Sequence, residues 1–166
     1  MNLCKGKITM NPIVAITNAV MNGELEKVVE LINEDQNLVH VYSEDGWTPL
    51  HLAAYFGHKE IASFLLKKGA NLHVKAKNQN ENTSLQAAIA NKKIEMATFL
   101  IKQGADVNAV QSGGWTGLHE AALLGDEKIV ALLIENGADK SIKKNDGKTA
   151  YDIALEKGYQ HLLHLV

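Results

Sequence analysis

The chain has 166 residues, 46% of them hydrophobic, and sets 19 acidic against 17 basic side chains for a formal net charge of −2. Every basic residue is a lysine; the planar arginine fork that suits phosphates and guanine edges is missing, so no nucleic acid is expected as a partner. No apolar run approaches the ~20 residues a membrane span needs, so no membrane is expected either, and the single cysteine, Cys4, fits a reducing, cytoplasmic setting.

Lys5 and Lys7 precede the apolar residues Ile13 to Ile16, but Asn11 and Pro12 interrupt the pattern, so it does not make an export signal. Residues 1–10 are expected to be a loose leader, with Met10 an alternative start. Pro12 to Met21 and Leu25 to Asn33 predict two helices, with Asn11 as N-cap and Gly23 between them. The acids Glu24, Glu26, Glu30, Glu34 and Asp35 make the outer side polar, as a terminal unit with no outer neighbour requires.

From Asp45 to Leu72 the chain spells a complete unit. Thr48 is an N-cap and Pro49 fits the first helical position, where no N–H donor is needed. Leu50, Ala53 and Ala54 then share one face, and Gly57 supplies a left-handed stop. A second helix is expected from Lys59, with Ile61, Ala62, Leu65 and Leu66 on its apolar side and Gly69 ending it.

The unit recurs. Thr48, Thr83, Thr116 and Thr149 start the copies, and Gly69, Gly104 and Gly137 follow the first three at a constant 21 residues. The first threonine interval is 35 residues and the later two are 33, which places two extra residues in the polar run Lys75 to Glu81. In the Thr83 copy Ser84 replaces the proline, Gln86 replaces the histidine, and Asn91 is expected to end its helix as Gly57 and Gly125 do; this copy should be less stable than its neighbours. The Thr116 copy has Gly117 for proline and the most apolar second helix, Ile129 to Ile134. The last copy places Asp152 in the histidine slot and should close with a short helix from Tyr159 to the terminus.

The period and the hexapeptide Thr48-Pro49-Leu50-His51-Leu52-Ala53 match the T-P-L-H-x-A signature, so the chain from Asn11 to Val166 resembles the ankyrin-repeat family. The resemblance implies an all-α solenoid of about five helix-turn-helix units linked by β-turn loops. Its divisions would be an N-terminal cap over 11–43, repeats over 44–77, 78–110 and 111–143, and a C-terminal cap over 144–166. It also implies that His51 and His119 tie neighbouring loops together through hydrogen bonds rather than act as catalysts.

Residues of catalytic type have no supporting pattern. Cys4 lies outside the repeats, and Ser63, Ser84, Ser112 and Ser141 sit in no G-x-S-x-G motif. Gly113-Gly114 lacks the Lys-Ser/Thr of a phosphate loop. His161 and His164 stand i, i+3 and are two ligands at most, weak support for a metal, so no cofactor is expected.

The resemblance places partner contacts in the turns before each threonine and in the residues after each Ala-Ala pair. The expected contacts are Glu44, Asp45, Trp47 and Tyr55, then Asn80 and Asn82, then Ser112, Trp115 and Leu123. Phe56, Ile89 and Leu124 are expected to pack between repeats instead, while Trp47, Tyr55, Phe56 and Trp115 gather on one concave side. Charge is uneven: Asn11 to Gly46 carries one lysine against seven acids, and Trp47 to Val110 eight against four. The leading expectation is a non-enzymatic, monomeric module that binds one partner protein as scaffold or inhibitor. The alternatives are a microbial effector acting on host proteins, and an enzyme or metal protein using His51, His119 or the His161/His164 pair. Asn108 resembles the position that asparaginyl hydroxylases modify in ankyrin repeats.

Overall fold

The computed structural model describes residues 10–166; Cys4 and all but the last residue of the expected loose leader over 1–10 lie outside them. Among the described residues there are nine α-helices and no strand. They are α1 (Pro12–Met21), α2 (Leu25–Glu34), α3 (Pro49–Phe56), α4 (Lys59–Lys67), α5 (Ser84–Ala90), α6 (Ile94–Lys102), α7 (Gly117–Leu124), α8 (Glu127–Glu135) and α9 (Ala150–Glu156). None is long and apolar enough to cross a membrane.

Each helix from α3 onward that follows a repeat threonine begins in the same way. Thr48, Thr83, Thr116 and Thr149 cap α3, α5, α7 and α9, and the side chain three residues on reaches back to the threonine's own N–H. His51, Gln86, His119 and Asp152 fill that position. They differ chemically, but each offers an acceptor at the right height, which is all a capping box needs.

The odd-numbered helices pack in a row: α3 lies between α1 and α5, and α7 between α5 and α9, while α2 meets α4 and α6 meets α8 on the other layer. Alanines make the close approach possible. Ala53, Ala54, Ala88, Ala121, Ala122 and Ala154 have no solvent exposure, so neighbouring helices can come together without displacing larger side chains. Leu50, Leu65, Leu85, Leu100, Leu118, Ile129 and Leu133 fill the space between the layers, all but fully buried, each contributing about 1.5–3 kcal/mol of transfer free energy.

The loops join the units as well. Ser43, Ala76, Gln111 and Lys144 donate their N–H to the carbonyls of Trp47, Asn82, Trp115 and Lys148, the residues just before each threonine. The second of these loops spans two more residues than the others, which puts the insertion between Ala76 and Asn82. Adjacent tips are then linked by Lys77 N–H to Gly46 O, Ser112 N–H to Asn80 O and Asn145 N–H to Gly113 O, at 2.8–3.0 Å.

Two local expectations are corrected. Asn91 has φ −102° and is not left-handed; Lys92 is, with φ +52°. Lys92 lies nine residues after Thr83, as Gly57 does after Thr48, so the matching pair in this repeat is Ala88-Ile89 and not Ala87-Ala88. Asn91 instead donates its Nδ2 to the Tyr55 carbonyl of the preceding repeat at 2.8 Å. At the C-terminus, the expected helix from Tyr159 is a single 3-10 turn, Gln160–Leu162. The N–H groups of Leu162, Leu163 and Leu165 bond three residues back, as suits a segment too short to repay α-helix nucleation.

Candidate partner-binding site

His51 and Thr48 set the local pattern. The Nδ1 of His51 accepts from the Thr48 N–H at 3.3 Å, which leaves the proton on Nε2, and Nε2–H donates to the Asn82 carbonyl of the next loop at 2.9 Å. Burial holds the imidazole pKa down, to about 4, because an imidazolium there would lose its hydration. Gln86 does the same work with an amide, accepting from Thr83 N–H at 2.8 Å and donating to Ala109 O at 2.8 Å. His119 accepts from Thr116 N–H at 3.1 Å, and its Nε2 is buried without a hydrogen-bond partner among the described residues; burial lowers its pKa as well. His51 and Gln86 thus fasten the next loop as well as their own caps, whereas His119, expected to do the same, closes only its own cap.

A groove of about 420 Å³ opens between the tips and inner helices of the Thr83 and Thr116 units. Asn80, Asn82, Ser112, Trp115 and Leu123, all expected contacts, line it. One wall is the loop lengthened by the two-residue insertion, which brings Gln79 and Asn80 to the rim. Asn80 and Ser112 are exposed, and Trp115 and Leu123 half-buried. Asn82 departs from the expectation of an exposed tip residue: it is only 6% exposed, because its carbonyl is held by both Ala76 N–H and His51.

Glu44 and Asp45 are exposed at the preceding tip. The aromatic residues form two groups and not one. Trp47 meets Tyr55 edge-on at 5.2 Å, and Tyr55 meets Phe56 at 5.3 Å. Trp115 stands apart, against His119 at 6.2 Å, with the Lys144 ammonium 4.2 Å from its ring centroid. Phe56 is 36% exposed and so does not pack between repeats as expected, whereas Ile89 is fully buried and Leu124 half-buried.

The motif reading passed over Gln111 and Glu120, which also line the groove. Glu120 had a usable signal. It occupies the variable position of the hexapeptide, where the other copies have Leu52, Ala87 and Ile153, all buried and apolar. Burial raises its carboxyl pKa.

Of the other singled-out residues, His161 and Asn108 have structural partners. His161 Nε2–H donates to Gly125 O at 3.3 Å, and His164 is exposed. Asn108 spans to the next repeat, donating from Nδ2 to Gly137 O at 3.1 Å and accepting from Asp139 N–H at 2.8 Å.

Capped helix pairs, stacked in two layers and stitched through their loop tips, define a helical repeat protein. The family model for ankyrin repeats matches residues 16–111 and 109–166, and the chain belongs to the ankyrin-repeat family. Relatives include a Caenorhabditis elegans homolog of transient receptor potential cation channel subfamily A member 1, 36% identical over 88% of this chain and 12% of its own length. Ankyrin repeat and SOCS box protein 11 of Danio rerio is 34% identical over 70% of this chain and 39% of its own length. The palmitoyltransferase AKR1 of Lachancea kluyveri is 30% identical over 82% of this chain and 23% of its own length. The chain thus spans well under half the length of these relatives. Ankyrin repeats are generally protein-interaction modules and generally non-catalytic.

Proposed function

We propose that this chain is a non-enzymatic module that holds one partner protein along its tips and inner helices, as scaffold or inhibitor, and that it acts as a cytoplasmic monomer. The observation that carries the reading is the groove between the Thr83 and Thr116 units, where five expected contact residues meet around one opening. The Trp47–Tyr55 pair and the exposed Glu44-Asp45 tip extend the same side toward the N-terminus. Half-buried aromatics at such positions suit anchoring, since they offer large apolar area at little entropic cost.

The test is capture from lysate by the wild type and by the Trp47→Ala/Trp115→Ala variant, once circular dichroism shows both folded. A partner retained by the wild type alone supports the reading; equal recovery by both removes this surface from consideration.

A further inference from the structure

Glu120 is out of keeping with its place in the repeat. Its equivalents Leu52, Ala87 and Ile153 bury apolar side chains against neighbouring helices. A carboxylate there gives up that burial and accepts partial desolvation. Its position in the first turn of α7 is favourable to a negative charge, while partial burial works the other way and raises its carboxyl pKa. Among the described residues it forms no ion pair; the three present are Lys27–Glu30, Lys144–Asp146 and Lys148–Glu156.

The groove around it has the same bias. It is lined by amides, Trp115 and Leu123 with Glu120 as its single charge, and no lysine or histidine lines it, although the chain has 17 lysines. Asn82, on the same lining, has its Oδ1 buried with no hydrogen-bond partner. That oxygen is closed off from the groove itself, so Glu120 is the groove's one charged acceptor, and no N–H or O–H of the described residues donates to its carboxylate.

We propose that this groove receives an arginine side chain of the partner protein, with its guanidinium paired to Glu120. The inference rests on the proposed docking function. Arginine fits better than lysine because its planar fork carries five N–H donors and is more weakly hydrated, so it can serve several acceptors in a half-buried site. Its aliphatic stem would lie along Leu123 and the Trp115 ring.

The test is a titration of ¹⁵N-labelled protein with N-acetyl-arginine methylamide, the neutral citrulline analogue and N-acetyl-lysine methylamide, followed by amide and Trp115 indole shifts. The expected result is saturable shifts at Ser112, Glu120, Leu123 and the Trp115 indole with the arginine probe. The citrulline analogue, and the arginine probe on Glu120→Gln, should bind about tenfold or more weakly, the cost of losing a hydrogen bond to a charged group. Lysine should fall between them. No localised shift with the arginine probe overturns the inference, as does equal binding of arginine and citrulline or no loss in Glu120→Gln; an unaltered melting curve shows that this variant is folded. If the tryptophan pair proves necessary for partner capture while Glu120→Gln captures normally, the docking surface stands and the arginine assignment falls.

Discussion

The Nε2–H of His51 donates to the carbonyl of Asn82, 31 residues on, at 2.9 Å, while its Nδ1 accepts from Thr48 at the start of its own helix. One imidazole therefore closes a helix cap and fastens the next loop, and it can do both only while neutral. Protonation would remove the Nδ1 acceptor and place a charge in a buried site.

Stability should consequently fall in acid. The folded-state pKa is depressed from 6.5 to about 4, so the contribution is complete above the unfolded value and is lost as pH drops toward the folded one, because the unfolded chain takes a proton that the folded chain refuses. His51→Gln, which copies the observed chemistry of Gln86, should remove this dependence. Denaturation at about pH 7 and about pH 4.5 should show the variant losing roughly 2–3 kcal/mol less than the wild type; parallel losses would contradict the assignment.

The Thr83 unit holds non-glycine residues at two of its three left-handed positions, Glu81 at φ +53° and Lys92 at φ +52°, where the Thr48 and Thr116 units have Gly46 and Gly57, and Gly114 and Gly125. Glu81→Gly and Lys92→Gly should each stabilise the fold by about 0.5–1 kcal/mol, relief of the left-handed penalty being partly offset by the greater freedom of glycine in the unfolded chain. A fall in melting temperature for both would show that the strain is taken up elsewhere.

A Cβ on Gly117 would lie 2.7 Å from the Ile89 Cδ1 methyl, in the close contact between α5 and α7. Gly117→Ala should cost about 1–3 kcal/mol by overpacking, and Ile89→Val, which deletes that methyl, about 0.5–1.5 kcal/mol. The double variant should cost less than the sum, by about 1 kcal/mol, since each change accommodates the other. Strict additivity in denaturant titrations would place the clash somewhere else.

Leu133, on α8, has no solvent exposure and faces α7, on which α8 packs. Leu133→Ala should destabilise by about 2–5 kcal/mol through lost burial and the cavity left behind, with the largest rise in hydrogen exchange in the Thr116 unit and the C-terminal turn stacked on it. A melt unchanged from the wild type would remove α8 from the core.

The repeat was legible because its signals are local. A threonine oxygen caps the turn it begins, a glycine takes a left-handed φ at little cost, and alanines and leucines at i, i+3 and i+4 define a helical face. Those facts need only a few consecutive residues, so α1 to α9 and the lengthened loop followed from the order of amino acids. The one slip in register, Asn91 for Lys92, came where the markers themselves had changed: no glycine ends that helix, and the two alanines Ala87 and Ala88 directly after Gln86 imitate the Ala-Ala pair one position early.

Exposure and pairing belong to the tertiary structure, because they depend on neighbours about thirty residues away. Asn82 has the composition of a tip residue but is buried, since His51 from the preceding repeat takes its carbonyl. Phe56 has the composition of a core residue but remains partly exposed, and Trp47 and Trp115, alike in sequence position, end in separate clusters. The sequence alone determined that this chain would stack ankyrin units through capped helix pairs. Only the stacking decided which side chains were left without partners, and so brought Glu120, Asn82 and Trp115 around one groove.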